Sequence, residues 1–328
     1  MDLSIIIVNW NSVGYLRDCL RSVELEMRDS GLDHEIVVID AASYDGCDRF
    51  VHESHPQVRF VQCNRNLGFG RANNLAFELS RGDAVLFLNP DTEVVGPAIA
   101  TLHRQLRELP DAGVVGCRLL NSDGSLQTSC VQSFPTLLNQ ALDFEGLRQR
   151  WPASWLWGTA ALYASGAAAR PVEALAGACV MLRREVFERI GRFSNEYFMY
   201  AEDIDLCHKT HAAGLVNYYV PEARVIHHGG GCSQEAPSNF SVVLMRESIC
   251  RFLGKTRGRL YGALYRASML GVALARLAAL RGVEAVRALR GGARAGGSPL
   301  SGPRRKWQAV VQWSVRRQAT VRQFEPAR

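Results

Sequence analysis

The segments Ser4-Ile5-Ile6-Ile7-Val8-Asn9 and Glu35-Ile36-Val37-Val38-Ile39-Asp40, with residues 15–23 between them, decide the fold. Each is a β-branched run that stops at a polar residue, the pattern of a strand buried on both faces and therefore central in its sheet. Between them Leu16, Leu20 and Val23 recur at i, i+4 and i+7, so the spacing predicts a helix and the whole reads as a βαβ unit. The rhythm continues outward. Residues 58–61 read as a short strand, 70–80 as a helix, and 84–88 as another buried strand running into Asn89-Pro90-Asp91. Alternation of this kind predicts an α/β fold with a mostly parallel central sheet flanked by helices, which binds ligands beyond the carboxyl ends of its strands. Asp40 and Asp91 stand at two such ends.

Further along, a helix is expected after Pro97 through Leu109, then a strand at 114–117, and from 121 to 176 no period holds. Residues 151–169 carry no charge, but Pro152, Gly158 and Gly166 leave them too weakly apolar to span a membrane. Trp151, Trp155 and Trp157 in that stretch suit a packed loop or an interfacial face. Order returns with a strand at 177–181, a helix at 184–190, a helix-like run at 204–213, and a strand at 223–226 introduced by Pro221.

The 328 residues are 47% hydrophobic and 21% charged, ordinary for a globular protein and unlike disordered, collagenous or polytopic membrane chains. That length suits about two domains, or one enlarged domain with an appendage. Nine cysteines without a C-x-x-C pair favour neither a zinc site nor a disulfide framework. The opening Met1-Asp2-Leu3-Ser4 lacks a basic n-region, so the expected setting is reducing and cytoplasmic.

The net charge of +6 hides an asymmetry: residues 246–328 hold 18 basic and three acidic residues, leaving a surplus of acids on the rest. The expected division is a catalytic domain at 1–239 and a basic, partly amphipathic helical extension at 240–328, with glycine linkers at 291–292 and 296–299. Arg259, Arg266, Arg276, Arg281 and Arg287 fall within an arc of about 140° on a helix. Such a helix suits an anionic membrane surface, with oligomerisation as the other use; no nucleic-acid-binding motif accompanies it.

Several segments carry chemistry. Asp91, after Pro90 has ended the strand pairing, suits a hard divalent ion bridging phosphates, or else caps a turn. Glu202-Asp203-Ile204-Asp205 opens a helix, where the macrodipole stabilises anions; an acid held there and facing a cleft can also act as a general base. His227-His228-Gly229-Gly230-Gly231 puts imidazole at a strand end beside residues that permit close approach of a metal or diphosphate. Gly68-Phe69-Gly70 lacks the third glycine of a dinucleotide fingerprint, yet it leads into a helix N-terminus able to receive phosphate or a nucleobase carbonyl.

In this order the segments resemble the inverting glycosyltransferases of family 2, with the GT-A (Rossmann-like) fold, and especially the rhamnosyltransferase-like branch of bacterial surface-polysaccharide assembly. The matching stretches are Ile6 to Asn11, Asp40 to Gly46, Asn64 to Phe69, Leu88 to Thr92, Gly177-Ala178 with Arg184 to Phe193, Glu202 to Leu206, and His227. The resemblance implies transfer of a sugar, rhamnose in that branch, from a nucleotide-diphosphate sugar to a glycan hydroxyl, with a polyprenyl-diphosphate-linked acceptor at the inner face of the cytoplasmic membrane. It implies that Asp40 holds the donor nucleobase, with Asn9, Asn66 and Arg71 on the same nucleotide. Asn89 and Asp91 stand where the family has D-x-D, Asp91 and His227 would hold Mg²⁺ or Mn²⁺, and Asp203 would be the catalytic base, with Glu202 on the acceptor side. Ala41 departs from the family's usual Asn, which bears on donor selectivity. A soluble acceptor, or a non-catalytic nucleotide-sugar-binding scaffold, is the alternative.

Overall fold

In a computed structural model, the described residues are 1–229, 240–289 and 300–315. The chain divides into two compact units, one of residues 1–134 and 144–234, the other of 135–143 and 235–328. The last two glycines after His228, both glycine linkers and the end of the basic extension lie outside the described residues.

The first unit is built on strands β1 (Leu3–Asn9), β2 (His34–Asp40), β3 (Arg59–Gln62), β4 (Ala84–Leu88), β5 (Thr92–Val95), β6 (Ala112–Leu120), β7 (Val131–Gln132), β8 (Arg170–Val172), β9 (Ala174–Leu175), β10 (Cys179–Arg183) and β11 (Val216–His227). Among the described residues one sheet has the order β3-β2-β1-β4-β10-β6-β11-β5, with β8 also on β11, and β7 and β9 form a small pair. β1 is buried at every position, as an interior strand with helices on both faces must be. β1, β2, β3 and β4 are mutually parallel, and β6 runs parallel to β11. The sheet is thus mostly parallel, as expected. Three strands reverse: β10 is antiparallel to β4 and β6, and β5 and β8 are antiparallel to β11. A buried antiparallel strand has the same composition as a parallel one, so periodicity alone could not show the reversal of β10.

The helices Val13–Asp29, Phe69–Leu79, Ala98–Glu108, Arg184–Arg189 and Glu202–Ala212 lie within a few residues of their expected places. The helix Cys47–Ser54 has no counterpart in the sequence reading, because its buried residues are only Cys47 and Val51. The aperiodic middle holds short pieces, among them Glu145–Arg150 and Ala160–Tyr163. Its tryptophans divide: Trp157 is buried and its Nε1 donates to the Trp151 carbonyl at 2.8 Å, whereas Trp151 is 56% and Trp155 76% exposed.

An aromatic knot locks the helix Arg184–Arg189 to the sheet. Phe187 is fully buried, with ring centroids of Phe77 at 4.8 Å, Phe87 at 4.9 Å and Phe193 at 5.4 Å. Offset and edge-on ring packing of this kind adds to the gain from apolar burial.

In the second unit, helices Phe240–Arg257, Arg259–Leu289 and Ser301–Val315 pack around Phe252, Leu253, Tyr265, Met269 and Val310. Gly258, at φ +93°, makes the break between the first two. The expected arginine arc is only partly a surface. Arg266 donates to Glu247 at 2.7 Å and to the Trp313 carbonyl at 2.8 Å, and the Arg276 guanidinium lies 4.8 Å from the Trp307 ring. Exposed instead are Leu260, Leu264, Leu274 and Leu289, which share an arc of about 80° at helical spacing. Among the described residues no helix is long and apolar enough to cross a membrane.

Replacing Phe187 with Ala removes the centre of the aromatic knot. The expected cost is about 3–5 kcal/mol, read as a lower denaturation midpoint in urea, with the slope of the transition unchanged.

Candidate active site

Strand register brings the functional positions to one edge of the sheet. Asn9 pairs with Asp40, Leu88 with Cys179, and Ile226 with Leu120. The residues that follow β4 and end β1, β2 and β11 therefore surround the same carboxyl edge, together with those that precede the reversed β10.

At one end of this edge Asp40 is fully buried. It accepts from Asn9 Nδ2 at 2.8 Å, the Ser43 amide at 2.9 Å, the Ser43 hydroxyl and Gln62 Nε2. Burial alone would raise the Asp40 pKa, but these donors together hold it below the ordinary carboxylate range. Ser12 in turn donates to Asn9 Oδ1 at 2.7 Å, which fixes the amide so that its NH₂ faces Asp40. Asn11, Ala42 and Tyr44 adopt positive φ in the loops beside it. Asp45 ties those loops together, accepting from the Val13 amide at 2.9 Å and the Cys47 amide at 3.2 Å.

Asp40, Asp45 and Cys47 have potential ligand atoms within 4.8 Å of one another. Their oxygens are committed to loop donors, and burial pushes the Cys47 thiol up, keeping it protonated. Through these hydrogen bonds the two carboxylates clamp the loops that follow β1 and β2.

A second group forms where β4, β5 and β11 meet. Asp91 is buried, and its Oδ1 lies 3.4 Å from His227 Nε2, which is also 3.4 Å from Asn89 Nδ2. The imidazole tautomer follows from its other side. Gln127 Nε2 donates to Asn121 Oδ1 at 3.1 Å and to the His227 carbonyl at 3.3 Å, so Gln127 Oε1 is an acceptor and His227 Nδ1, 2.8 Å away, must donate to it. His227 Nε2 is thereby turned toward the Asp91 carboxylate, and an imidazole nitrogen fixed through its other nitrogen beside a carboxylate is the arrangement of a metal-holding pair. Asn89 Oδ1 is buried with no hydrogen-bond partner among the described residues. Carboxylate, amide oxygen and imidazole together fit Mg²⁺ or Mn²⁺. His228 points elsewhere, its nitrogens 2.8 Å from Glu93 Oε1 and 2.8 Å from Ser122 Oγ.

A third group adjoins the second through the backbone. The Asn89 amide donates to the Ala178 carbonyl at 2.8 Å, and the neighbouring Gly177 amide donates to Asp203 Oδ2 at 2.9 Å. Glycine at 177 eases this approach, since a Cβ there would lie 3.1 Å from the Asp203 Cβ, closer than ordinary contact. Asp203 is half-buried at the first turn of Glu202–Ala212, after Tyr200 and Ala201, both at positive φ. Strained backbone of this sort marks an over-determined position. Burial raises the Asp203 pKa, opposed by the Gly177 and Ile204 amides. Glu202, 6% exposed, is pushed up to about 8 by burial and then by the Asp203 charge, and its Oε2 has no hydrogen-bond partner among the described residues. Burial and the neighbouring carboxylate thus make Glu202 the stronger holder of a proton in this pair. Asp205 is structural: it accepts from Ser194 at 2.6 Å and Tyr197 at 3.4 Å.

Asn66 and Arg71 face local work. Asn66 Oδ1 accepts from the Gly68 amide at 2.8 Å, and Arg71 Nε donates to the Asn195 carbonyl at 3.1 Å. Gly68, at φ +77°, lies so close to Phe198 that a Cβ would come within 2.3 Å of its carbonyl oxygen, and the Phe69 amide donates to that carbonyl. Sequence reasoning missed Gln62 and Gln127, whose roles arise from tertiary proximity, and left Ser43, three residues after Asp40 in a quoted motif, without a role. Gly177 stood in a quoted motif but without a role.

The mostly parallel sheet flanked by helices, with its functional positions at the carboxyl edge, is a GT-A-type α/β fold. Residues 4–191 match the family model described as glycosyl transferase family 2, and the chain belongs to that family. It is a glycosyltransferase. It is 32% identical over 216 residues, 62% of this chain and 69% of the relative, to an N-acetylglucosaminyl-diphospho-decaprenol L-rhamnosyltransferase of Mycobacterium tuberculosis. It is also 29% identical over 170 residues, 49% of this chain and 61% of the relative, to the rhamnosyltransferase WbbL of Escherichia coli. In fold it is similar to the mannosyltransferase PcManGT of Pyrobaculum calidifontis in complex with GDP-Man and Mn²⁺, with a TM-score of 0.57 at 18% identity over 95% of this chain and 84% of the other.

The raised Glu202 pKa has a consequence for stability. The folded state holds this proton more tightly than the unfolded chain, so its stabilising contribution is full below the ordinary value of 4.5 and is lost as pH rises through about 8. Glu202→Gln has no such proton to lose. Between pH 5 and 8.5 the wild-type denaturation midpoint is expected to fall relative to that of the variant, and parallel profiles would refute the assignment.

Proposed function

We propose that this glycosyltransferase moves a sugar, rhamnose by the names of its relatives, from a nucleotide-diphosphate sugar to a hydroxyl of a glycan acceptor, with inversion, during surface-polysaccharide assembly. The observation that carries the reading is the backbone relay from Asp203 through Gly177-Ala178 to Asn89, which places an acid beside the Asn89, Asp91 and His227 group. A phosphate-side cluster and a proton acceptor are thus held by one rigid strand junction.

Each residue has a task. Asp40, held ionised by Asn9, Ser43 and Gln62, anchors the region that holds the donor nucleobase, with Asn66 and Arg71 bordering it. Asp91 and His227, with Asn89, hold the divalent cation. Bound there, the cation neutralises charge that develops on the departing diphosphate. Asp203 accepts the proton of the acceptor hydroxyl as its oxygen bonds to the anomeric carbon, while the bond from that carbon to the diphosphate oxygen breaks on the opposite face. Glu202, protonated, keeps a second negative charge from building beside Asp203 and faces the acceptor side.

The acceptor is proposed to be polyprenyl-diphosphate-linked, in line with the printed name of the mycobacterial relative. The leucine stripe on Arg259–Leu289 and the exposed Trp151 and Trp155 support a peripheral position on an anionic membrane face.

Two experiments test this reading. Calorimetric titration with nucleotide-diphosphate sugars is expected to show donor binding that weakens at least tenfold with chelator or in His227→Ala; equal affinity in all three removes the cation from the reading. Asp203→Asn is expected to keep donor affinity while kcat falls by roughly 10²–10⁴-fold, the usual share of a positioned base. In contrast, Asp205→Asn should lower the melting temperature and cost much less turnover. Near-normal kcat in Asp203→Asn would mean that another group takes the proton.

A further inference from the structure

The first unit holds an open cavity of about 500 Å³ that shares no lining residue with the groups used in the transfer reaction. It is lined by Arg17, on the helix Val13–Asp29, and by Gly46, Arg49, Phe50, Glu53 and Ser54, at and along the helix Cys47–Ser54. Both arginines are exposed, and among the described residues neither guanidinium makes a hydrogen bond or an ion pair. Arg17 lies over the Phe50 ring, its guanidinium carbon 5.1 Å from the centroid, while His55 packs edge-on to that ring at 5.2 Å. Stacking of this kind holds a guanidinium by its face and leaves the N–H groups at its edge free to donate. Asp18, the acid next to Arg17 in the chain, is turned to Arg21 at 3.4 Å.

The fold fixes this arrangement in advance. Asp45 accepts from the Val13 amide at 2.9 Å and from the Cys47 amide at 3.2 Å, which ties the start of one helix to the start of the other. Arg17 stands one turn beyond Val13 and Arg49 two residues beyond Cys47, so one clamp positions both. At Gly46 a Cβ would meet nothing within 4 Å, so that end of the cavity is clear. Glu53 is the single carboxylate in the lining and pairs with neither arginine among the described residues, which leaves the cavity a net positive charge. Two guanidinium forks with unspent donors match the oxygens of a phosphate group, to which each can donate twice. The volume lies in the range of small-molecule sites.

We propose that the cavity between the helices Val13–Asp29 and Cys47–Ser54 binds the phosphate group of a phosphorylated compound between Arg17 and Arg49, with the Ser54 hydroxyl as a further donor. The site is separate from the donor site and independent of the reading given above. The phosphate belongs either to a soluble compound or to a lipid headgroup, which present the same tetrahedral oxygens.

The test uses the full chain with chelator present, so that no divalent cation bridges a phosphate to Asp91 and His227. Isothermal titration with pyrophosphate and with glucose 1-phosphate forms one arm. Co-sedimentation with phosphatidic acid–phosphatidylcholine vesicles, against phosphatidylcholine alone, forms the other. The variants are Arg17→Gln and Arg49→Gln; Arg28→Gln, an exposed arginine three turns further along the first helix and outside the cavity, is the charge-matched control. Both cavity arginines are exposed, so the variants should stay folded, which circular dichroism checks. A saturable isotherm that weakens at least fivefold in each cavity variant and less than twofold in Arg28→Gln establishes a site for a soluble phosphate compound. The same selective loss confined to phosphatidic acid vesicles assigns the phosphate to a headgroup. No saturable binding in either arm, a loss below fivefold in either cavity variant, or an equal loss in Arg28→Gln overturns the proposal, the last because it would show only diffuse attraction.

Discussion

The hydrogen bond from the Asn89 amide to the Ala178 carbonyl, 2.8 Å long, is the joint on which the site depends. It continues the antiparallel pairing of β10 with β4 past the end of the sheet, where Leu88 opposes Cys179. From that joint Asn89-Pro90-Asp91 turns toward His227 on one side, and Gly177 meets Asp203 on the other. Because β10 runs against its neighbours, its beginning lies at the edge where β1, β2 and β4 end. A parallel strand in that slot would deliver its first residues to the opposite edge, and Gly177 would never meet Asp203.

The site's electrostatics divide it into three tasks that do not interfere. Asp40 is buried yet stays ionised, because four donors repay the loss of water. Asp91 faces an imidazole whose Nδ1 is turned to Gln127, which points Nε2 at the carboxylate. Glu202 and Asp203 sit side by side in a buried setting, and burial with the neighbouring charge raises the Glu202 pKa to about 8, whereas two backbone amides reach Asp203. The same residue type is therefore anchor, cation holder and proton carrier, according to how many N–H groups reach it.

The helical unit repeats that lesson with the opposite sign. Glu247 receives Arg266 and the Trp313 indole and is fully paired. Among the described residues the basic surplus of the helical unit is thus not one diffuse face: Arg266 and Arg276 turn into the helix packing, and exposed leucines line one stripe of Arg259–Leu289.

What the sequence determined by itself was everything written in local pattern. The β-branched runs ending at Asn9, Asp40 and Leu88 set the parallel half of the sheet, and the ordered motifs set the family, because a strand buried on both faces and a polar residue at its end leave a local trace. The reversal of β10, the helix Cys47–Ser54 and the inward turn of Arg266 and Arg276 left none. A buried strand has the same composition in either direction, and an arginine has the same letter whether it meets water or Glu247. The tertiary structure alone decided which imidazole meets Asp91. His227 and His228 are adjacent in sequence, but Gln127, one hundred residues upstream, holds the first toward Asp91, while Glu93 and Ser122 hold the second away. Hydrogen-bond partners far apart in the chain assign those roles, and they meet only when the sheet closes.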